Sequence, residues 1–99
     1  MEIKVDSNGS QVTVAVIGEV DAHNRSELGE AILADLPSEA TVVIDATDLG
    51  FIDSSGISEL LRVRQVVDEA GGTLSIQNAG PSVKRVLEIT GLLESFDVS

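Results

Sequence analysis

Two adjacent hydroxyl groups, those of Ser54 and Ser55, are the side chains of this sequence best placed to do chemistry. They belong to the run Asp53-Ser54-Ser55-Gly56, which follows an apolar stretch and precedes residues with helical spacing. The unpaired backbone N–H groups and the positive dipole end of a helix N-terminus can accommodate a phosphate group. Ser and Asp also cap helices without any further role. By themselves, these four residues therefore predict a phosphate-tolerant turn in which either hydroxyl could be modified.

Such a run could belong to a serine hydrolase, but the spacing of glycine around the serines argues against this class of enzyme. The nucleophile elbow of these enzymes has a Gly two residues before and two residues after the Ser. Ser54 has only the second of these, Gly56, and Ser55 has neither. His23 is the sole histidine, and nothing in the sequence places it near the serines as a general base. We therefore predict no catalytic residue.

Metal and nucleotide sites are likewise not indicated. Asp45, Asp48 and Asp53 lie close in sequence but lack the spacing of an EF-hand loop, and acidic residues near a helix N-terminus have an ordinary electrostatic role. Neither of the glycine-rich phosphate-binding patterns occurs. The sequence thus predicts no metal and no cofactor.

The composition favours a small, acidic, single domain. The 99 residues suffice for one domain, 1–99, and they carry 6 basic against 17 acidic side chains, a net charge of −11. That charge repels nucleic acid and anionic membranes and favours a partner with a basic surface. There is no cysteine, no signal-peptide pattern at the N-terminus and no apolar run long enough to span a membrane. We expect a cytoplasmic protein that binds neither nucleic acid nor membrane.

The elements that must position the two serines follow from hydrophobic periodicity. Asn24 and Glu27 have the spacing of a capping box for the first helix, and Pro81 lies near the start of the last. In chain order the pattern predicts a β-hairpin over 3–16, a helix over about 25–36, a strand over 41–45, a loop over 46–52, a helix over 57–70, a strand over 74–76 and a helix over 81–91. This ββαβαβα order predicts an α/β domain with a mixed, mostly parallel sheet and packed helices. Residues 92–98 fit either a short helix or an edge strand.

Four blocks of this sequence together resemble the anti-sigma-factor antagonists, the bacterial form of the STAS domain. They are Gly18-Glu19-Val20-Asp21, Asp48-Leu49-Gly50-Phe51-Ile52-Asp53-Ser54-Ser55-Gly56-Ile57, Gly71-Gly72, and the run from Pro81 to Leu92. They occur in the family's order and span nearly the whole chain. The fold expected from this resemblance is a single STAS-type domain.

The resemblance implies a switch protein without catalysis of its own. In that family the unmodified antagonist binds an anti-sigma factor that is a serine kinase, which frees the sigma factor. Phosphorylation of the Ser directly after the motif's Asp breaks the complex, and a PP2C-type phosphatase restores it. On this chain the phosphoacceptor would be Ser54. The partner-binding residues would be Glu19, Asp21, Asp53, Ser54, Ser55 and Gly56, together with an exposed helix start that includes Ser58, Glu59 and Arg62.

The resemblance also assigns separate roles within the motif. Ser55 is expected to cap the helix, Asp53 to shape the loop, and Gly56 to let a partner's active site approach.

An alternative function for the same fold is a structural subunit in a signalling scaffold or a lipid-transport complex.

Overall fold

The computed structural model describes residues 1–99, which form a five-stranded mixed sheet with three helices. The elements are β1 (Glu2–Asn8), β2 (Gln11–Val20), α1 (Arg25–Leu33), β3 (Thr41–Asp45), β4 (Leu49–Ile52), α2 (Ser54–Glu69), β5 (Thr73–Gln77) and α3 (Pro81–Ile89). The predicted fold class is confirmed. The predicted element order is wrong by one strand, because β4 lies within the segment predicted to be a loop.

The long strand β2 organises the sheet. It pairs antiparallel with β1 and parallel with β3, which in turn pairs parallel with β5. The C-terminal part of β2, from Gly18 to Val20, pairs with β4 instead, also in parallel. Strand β2 therefore connects the hairpin at one edge of the sheet to the segment that leads into α2.

The helix ends differ from the predicted ones for local reasons. Helix α1 ends at Leu33 rather than near Leu36, and Asp35 beyond it has a φ of 54°, which is incompatible with a continuing helix. The predicted capping box is wrong, since Asn24 occupies the N-cap position without a side-chain hydrogen bond to the helix. Helix α2 begins at Ser54, three residues earlier than predicted. Both serines of the motif are therefore helical residues.

The hydrophobic core is built largely from aliphatic side chains on β2, β3, β5 and the inward faces of the helices. Phe96 completes it, with 0 % of the residue exposed. The guanidinium of Arg64 lies 5.7 Å from the centre of the Phe96 ring and also bonds to Ser95. Val98 forms a single parallel bridge to Ile76 of β5. The C-terminal segment is thus neither a helix nor a full strand: it pairs with the outer edge of β5 through the Val98 bridge, and it buries one aromatic ring in the core.

A bilayer-spanning helix is absent from this fold, because none of its helices combines the required length with the required apolar character.

Candidate functional site

Asp53 is the N-cap of α2. Its Oδ1 accepts hydrogen bonds from the backbone N–H groups of Ser55, at 2.9 Å, and Gly56, at 3.1 Å. The extended backbone of Asp53, with φ −95° and ψ −175°, is the geometry that N-cap residues adopt. The expectation that Ser55 caps this helix is therefore wrong, because the carboxylate of Asp53 already satisfies two of the unpaired N–H groups.

Ser54 and Ser55 differ in accessibility. Ser54 is the first residue of α2 and is exposed, whereas Ser55 is partly buried. The Ser54 hydroxyl makes no side-chain hydrogen bond within the chain, so no internal acceptor competes for its proton. No acidic side chain follows in the first turn of this 16-residue helix. Because Asp53 is the only acid at the start of α2 itself, the positive end of the helix dipole can accommodate an added anionic group at Ser54.

The end of β2 lies beside the Ser54 site. The backbone N–H of Asp53 donates to the carbonyl of Val20 at 3.1 Å, and Val20 pairs with Ile52. The exposed Glu19 and the partly buried Asp21 flank Val20. The structure thus brings together two acidic positions that the sequence separates from the motif by about 30 residues.

A network of hydrogen bonds holds the loop that contains Asp21. The Oδ1 of Asp21 accepts from the backbone N–H of His23 at 2.9 Å, and the Oδ1 of Asn24 accepts from the backbone N–H of Asp21 at 2.9 Å. The side-chain amide of Asn24 also donates to the carbonyl of Glu19 at 2.9 Å. Asn24 is therefore used to close this loop rather than to cap α1, which explains why the capping box fails.

Gly56 is buried, and its role differs from the expected one. A Cβ at this position would lie 2.5 Å from the Cγ1 of Ile52 and 2.8 Å from the Cγ1 of Val20. Helix α2 therefore approaches the ends of β2 and β4 more closely than any side chain would allow. The glycine serves packing inside the domain, and it does not open a path for a partner's active site.

The remaining predicted contact residues lie one and two turns along α2. Ser58 and Arg62 are exposed, but only 7 % of Glu59 is accessible, so the expectation that Glu59 is exposed is wrong. Both oxygens of the Glu59 carboxylate accept hydrogen bonds from Arg62, at 2.9 and 2.8 Å. This bidentate pairing with Arg62 is the main reason that the pKa of Glu59 is lowered, and burial opposes it. Glu59 therefore positions Arg62, which presents 53 % of its side chain to solvent.

A polar cleft separates α1 from α2 next to these residues. Its volume is about 440 Å³, and it is lined by Arg25, Ser26, Glu30, Ser58, Glu59 and Arg62. Arg25 and Glu30 of α1 face the ion pair on α2 and interact with it electrostatically. The cleft contains charges of both signs and no apolar side chain, which suits a polar contact rather than a buried apolar ligand.

No metal centre accompanies this site, since no three His, Asp or Glu side chains converge anywhere in the chain. Asp45 instead forms a separate local network, accepting hydrogen bonds from Thr47 and Asn78. Those bonds, led by the one from the Thr47 side chain, lower the pKa of Asp45.

Phe51 is the exposed residue beside the site that sequence reasoning did not select. It lies on β4, opposite Glu19, and 44 % of it is accessible to solvent. One signal in the sequence could have identified Phe51. It is an aromatic residue two positions before the helix cap, in a segment predicted to be a loop.

Comparison with known proteins identifies the family. A family model described as the STAS domain matches residues 2–99. The chain belongs to the STAS domain family. The resemblance found in the four sequence blocks is thereby confirmed.

Relatives of this STAS domain carry a consistent description. The anti-sigma-B factor antagonist of Bacillus subtilis is 29 % identical over 101 residues, covering 100 % of this chain and 93 % of that protein. The anti-sigma F factor antagonist of Paenibacillus polymyxa is 26 % identical over 102 residues, covering 99 % and 86 %. The crystal structure of an anti-sigma factor antagonist from Mycobacterium paratuberculosis superposes with a TM-score of 0.82 at 26 % identity, covering 98 % of this STAS domain and 83 % of that chain.

Proposed function

We propose that this STAS domain is an anti-sigma-factor antagonist whose unphosphorylated form binds an anti-sigma factor serine kinase, and that phosphorylation of Ser54 ends this binding. The observation that carries the proposal is the state of Ser54: an exposed hydroxyl without an internal partner, at the first position of α2. The names of the curated relatives support the class of partner. The domain itself performs no catalysis, and a PP2C-type phosphatase restores the binding form in the cytoplasm.

The proposed contact surface surrounds Ser54. It comprises the β4–α2 junction at Asp53 to Gly56, the β2 end at Glu19 and Asp21, and the α2 surface at Ser58 and Arg62, with Glu59 holding Arg62 in place. Gly56 contributes by setting the distance between α2 and the sheet.

A local electrostatic effect is large enough to operate the switch. Transfer of the γ-phosphoryl group of ATP to the Ser54 oxygen breaks the bond between the γ-phosphorus and the β–γ bridging oxygen, and it releases ADP and the hydroxyl proton. The phosphoserine adds a charge of about −1.5 to −2. Two unit charges about 4 Å apart repel by about 4 kcal/mol at an effective dielectric constant near 20. Reversing a population from 99:1 to 1:99 takes about 5.5 kcal/mol. Repulsion of this size between the phosphate and acidic groups at the catalytic centre of the kinase, apart from its basic contact surface, would account for most of the required change without refolding of the antagonist.

Phosphorylation is expected to leave the fold unchanged. The dipole at the start of α2 favours negative charge, so a phosphate at Ser54 is compatible with the helix although Asp53 already accepts from the N–H groups of Ser55 and Gly56. The Ser54→Asp variant should shift backbone amide resonances only around the end of β2 and the first turns of α2. Shifts throughout the sheet would contradict a local switch.

The test uses the anti-sigma factor serine kinases encoded in the genome from which this chain comes. Each purified kinase is incubated with the domain and Mg-ATP, and the modified residue is located by mass spectrometry. We expect phosphate on Ser54 and loss of modification in Ser54→Ala. Ser82→Ala is the matched control, because Ser82 is an exposed Ser in the first turn of α3. Modification confined to Ser55, Ser58 or Ser82 would refute the assigned site, and failure to bind any such kinase would favour the alternative assembly role.

A further inference from the structure

Phe51 and Phe96 are the two aromatic residues of the chain, and their environments are opposite. Phe96 is completely buried in the core, whereas 44 % of Phe51 is exposed. The exposed part of the Phe51 ring is apolar surface that a partner could still remove from water. The position of Phe51 on a strand, rather than on a mobile terminus, makes this exposure a property of the fold.

An irregularity in strand pairing places Phe51 on the surface. Gly18 pairs with Leu49, but the next residue of β2, Glu19, pairs with Phe51, so Gly50 is the extra residue of a bulge. Regular alternation from the buried Leu49 would direct Phe51 into the core and Ile52 outward. The bulge reverses this, so that Phe51 is exposed and Ile52 is buried. Bulges of this kind often re-aim a side chain next to a functional site.

Acidic residues flank Phe51 across the strand pair and along the chain. Glu19 lies directly opposite it on β2, Asp48 immediately precedes β4, and Asp53 immediately follows β4. A second copy of this chain that used the same patch in a two-fold contact would bring like charges together, in a molecule whose net charge is −11. A partner that receives the ring in an apolar recess with a basic rim is electrostatically matched instead.

We propose that Phe51 is an apolar anchor through which this STAS domain binds the anti-sigma factor kinase, inserting into a recess with a basic rim beside the kinase active site. This inference rests on the proposed function and adds to it the residue that supplies binding energy. Phe51 is two residues from Asp53 and three from Ser54, so a kinase that reaches the Ser54 hydroxyl also reaches this ring. Aromatic side chains are enriched in the buried centres of interfaces. Phosphorylation of Ser54 then ends the binding, and Phe51 supplies affinity that this phosphorylation must overcome.

The experiment measures binding of purified anti-sigma factor kinase to unphosphorylated domain variants by surface plasmon resonance. Replacing Phe51 with Ala or Thr should weaken binding at least about tenfold, mainly through faster dissociation. The Thr variant removes the ring while retaining β propensity, so it remains informative if the Ala variant folds poorly. Phe51→Leu, which keeps an apolar side chain, should lie between these variants and the wild type. Thermal unfolding of each variant verifies that it is folded.

Val5→Ala is the matched control, because Val5 is 46 % exposed on β1, an edge strand that pairs only with β2. It should leave kinase affinity unchanged. If the wild-type domain binds a kinase and folded Phe51 variants bind it equally well, the anchor is refuted while the proposed function stands. If the wild-type domain binds no kinase, the proposed function itself fails. If the Phe51 variants change only self-association in analytical ultracentrifugation, the ring serves contact between copies and the proposal is overturned.

Discussion

Gly29 of α1 lies directly against the carboxylate of Glu59 on α2. A Cβ at position 29 would collide with the Glu59 Oε2 and would lie 2.6 Å from a terminal nitrogen of Arg62. The absence of a side chain at position 29 is therefore what allows the Glu59 carboxylate to be buried against α1 while it pairs with the exposed Arg62. Because Arg62 belongs to the proposed contact surface, a residue of α1 that is distant in sequence helps to shape that surface.

The Gly29→Ala substitution should destabilise the domain when residue 59 is Glu and stabilise it when residue 59 is Ala. In the wild-type background the new methyl group displaces the Glu59 carboxylate and destabilises the domain by about 1 to 3 kcal/mol. In the Glu59→Ala background the carboxylate is gone and the Arg62 guanidinium, no longer held by it, is free to move away from position 29. The helix propensity of Ala then stabilises the domain by about 0.5 to 1 kcal/mol. Urea unfolding of the four proteins in this double-mutant cycle measures both values. Equal effects in the two backgrounds would contradict the packing described here.

The Glu59–Arg62 pair should make the stability of the domain more sensitive to acid. The folded-state pKa of Glu59 lies below its ordinary value of 4.5, chiefly because of the hydrogen bonds from Arg62. A carboxyl with a lowered pKa in the folded state stabilises the protein above its unfolded-state pKa, and this stabilisation is lost as the pH falls through the folded-state value. The free energy of unfolding of the wild type should therefore fall more steeply below about pH 4.5 than that of Glu59→Gln. Arg62→Gln removes the cause of the shift and should flatten the profile as well.

Substitutions of Asp53 should separate helix capping from negative charge. Asp53→Ala removes the acceptor for the N–H groups of Ser55 and Gly56 and should cost about 1 kcal/mol of stability. Asp53→Asn keeps an acceptor oxygen and should cost less, while removing the charge next to Ser54. Urea unfolding and kinase affinity are measured for both variants. If the Asn variant retains stability but binds the kinase more weakly, the charge contributes to recognition. Equal loss of stability in the two variants would show that the capping bonds are not responsible.

Gly56→Ala should destabilise the domain although it improves helix propensity. The added methyl group would overlap with Ile52 and Val20 in a buried position, at a cost of about 1 to 3 kcal/mol. Gly50→Ala is the matched control, because a Cβ there would approach only the carbonyl of Gly18, at the ordinary contact distance of 3.6 Å. Thermal unfolding of the two variants provides the comparison. A stable Gly56→Ala domain would restore the expectation that this glycine serves partner access.

Prediction from the sequence is correct where local signals are strong. The β-branched alternation of β2, the apolar run of β3 and the punctuation by Pro81 and Gly91 were sufficient to predict the corresponding elements. It failed at β4, because four residues that contain a glycine and a bulge have no regular period. It also failed at Asn24, whose spacing to Glu27 fits a capping box but whose side chain is engaged by Asp21 and Glu19.

The sequence by itself determined the α/β class, the acidic character and the Asp53-Ser54-Ser55-Gly56 motif, because each depends on residue type and short spacing. Only the tertiary structure decided the roles within that motif. It separated Ser54 from Ser55 by exposure, made Asp53 the helix cap, placed Gly56 in the core and buried Glu59 against Gly29. These outcomes depend on how closely α2 approaches β2, β4 and α1. That distance results from contacts between residues far apart in the chain, which no local pattern encodes.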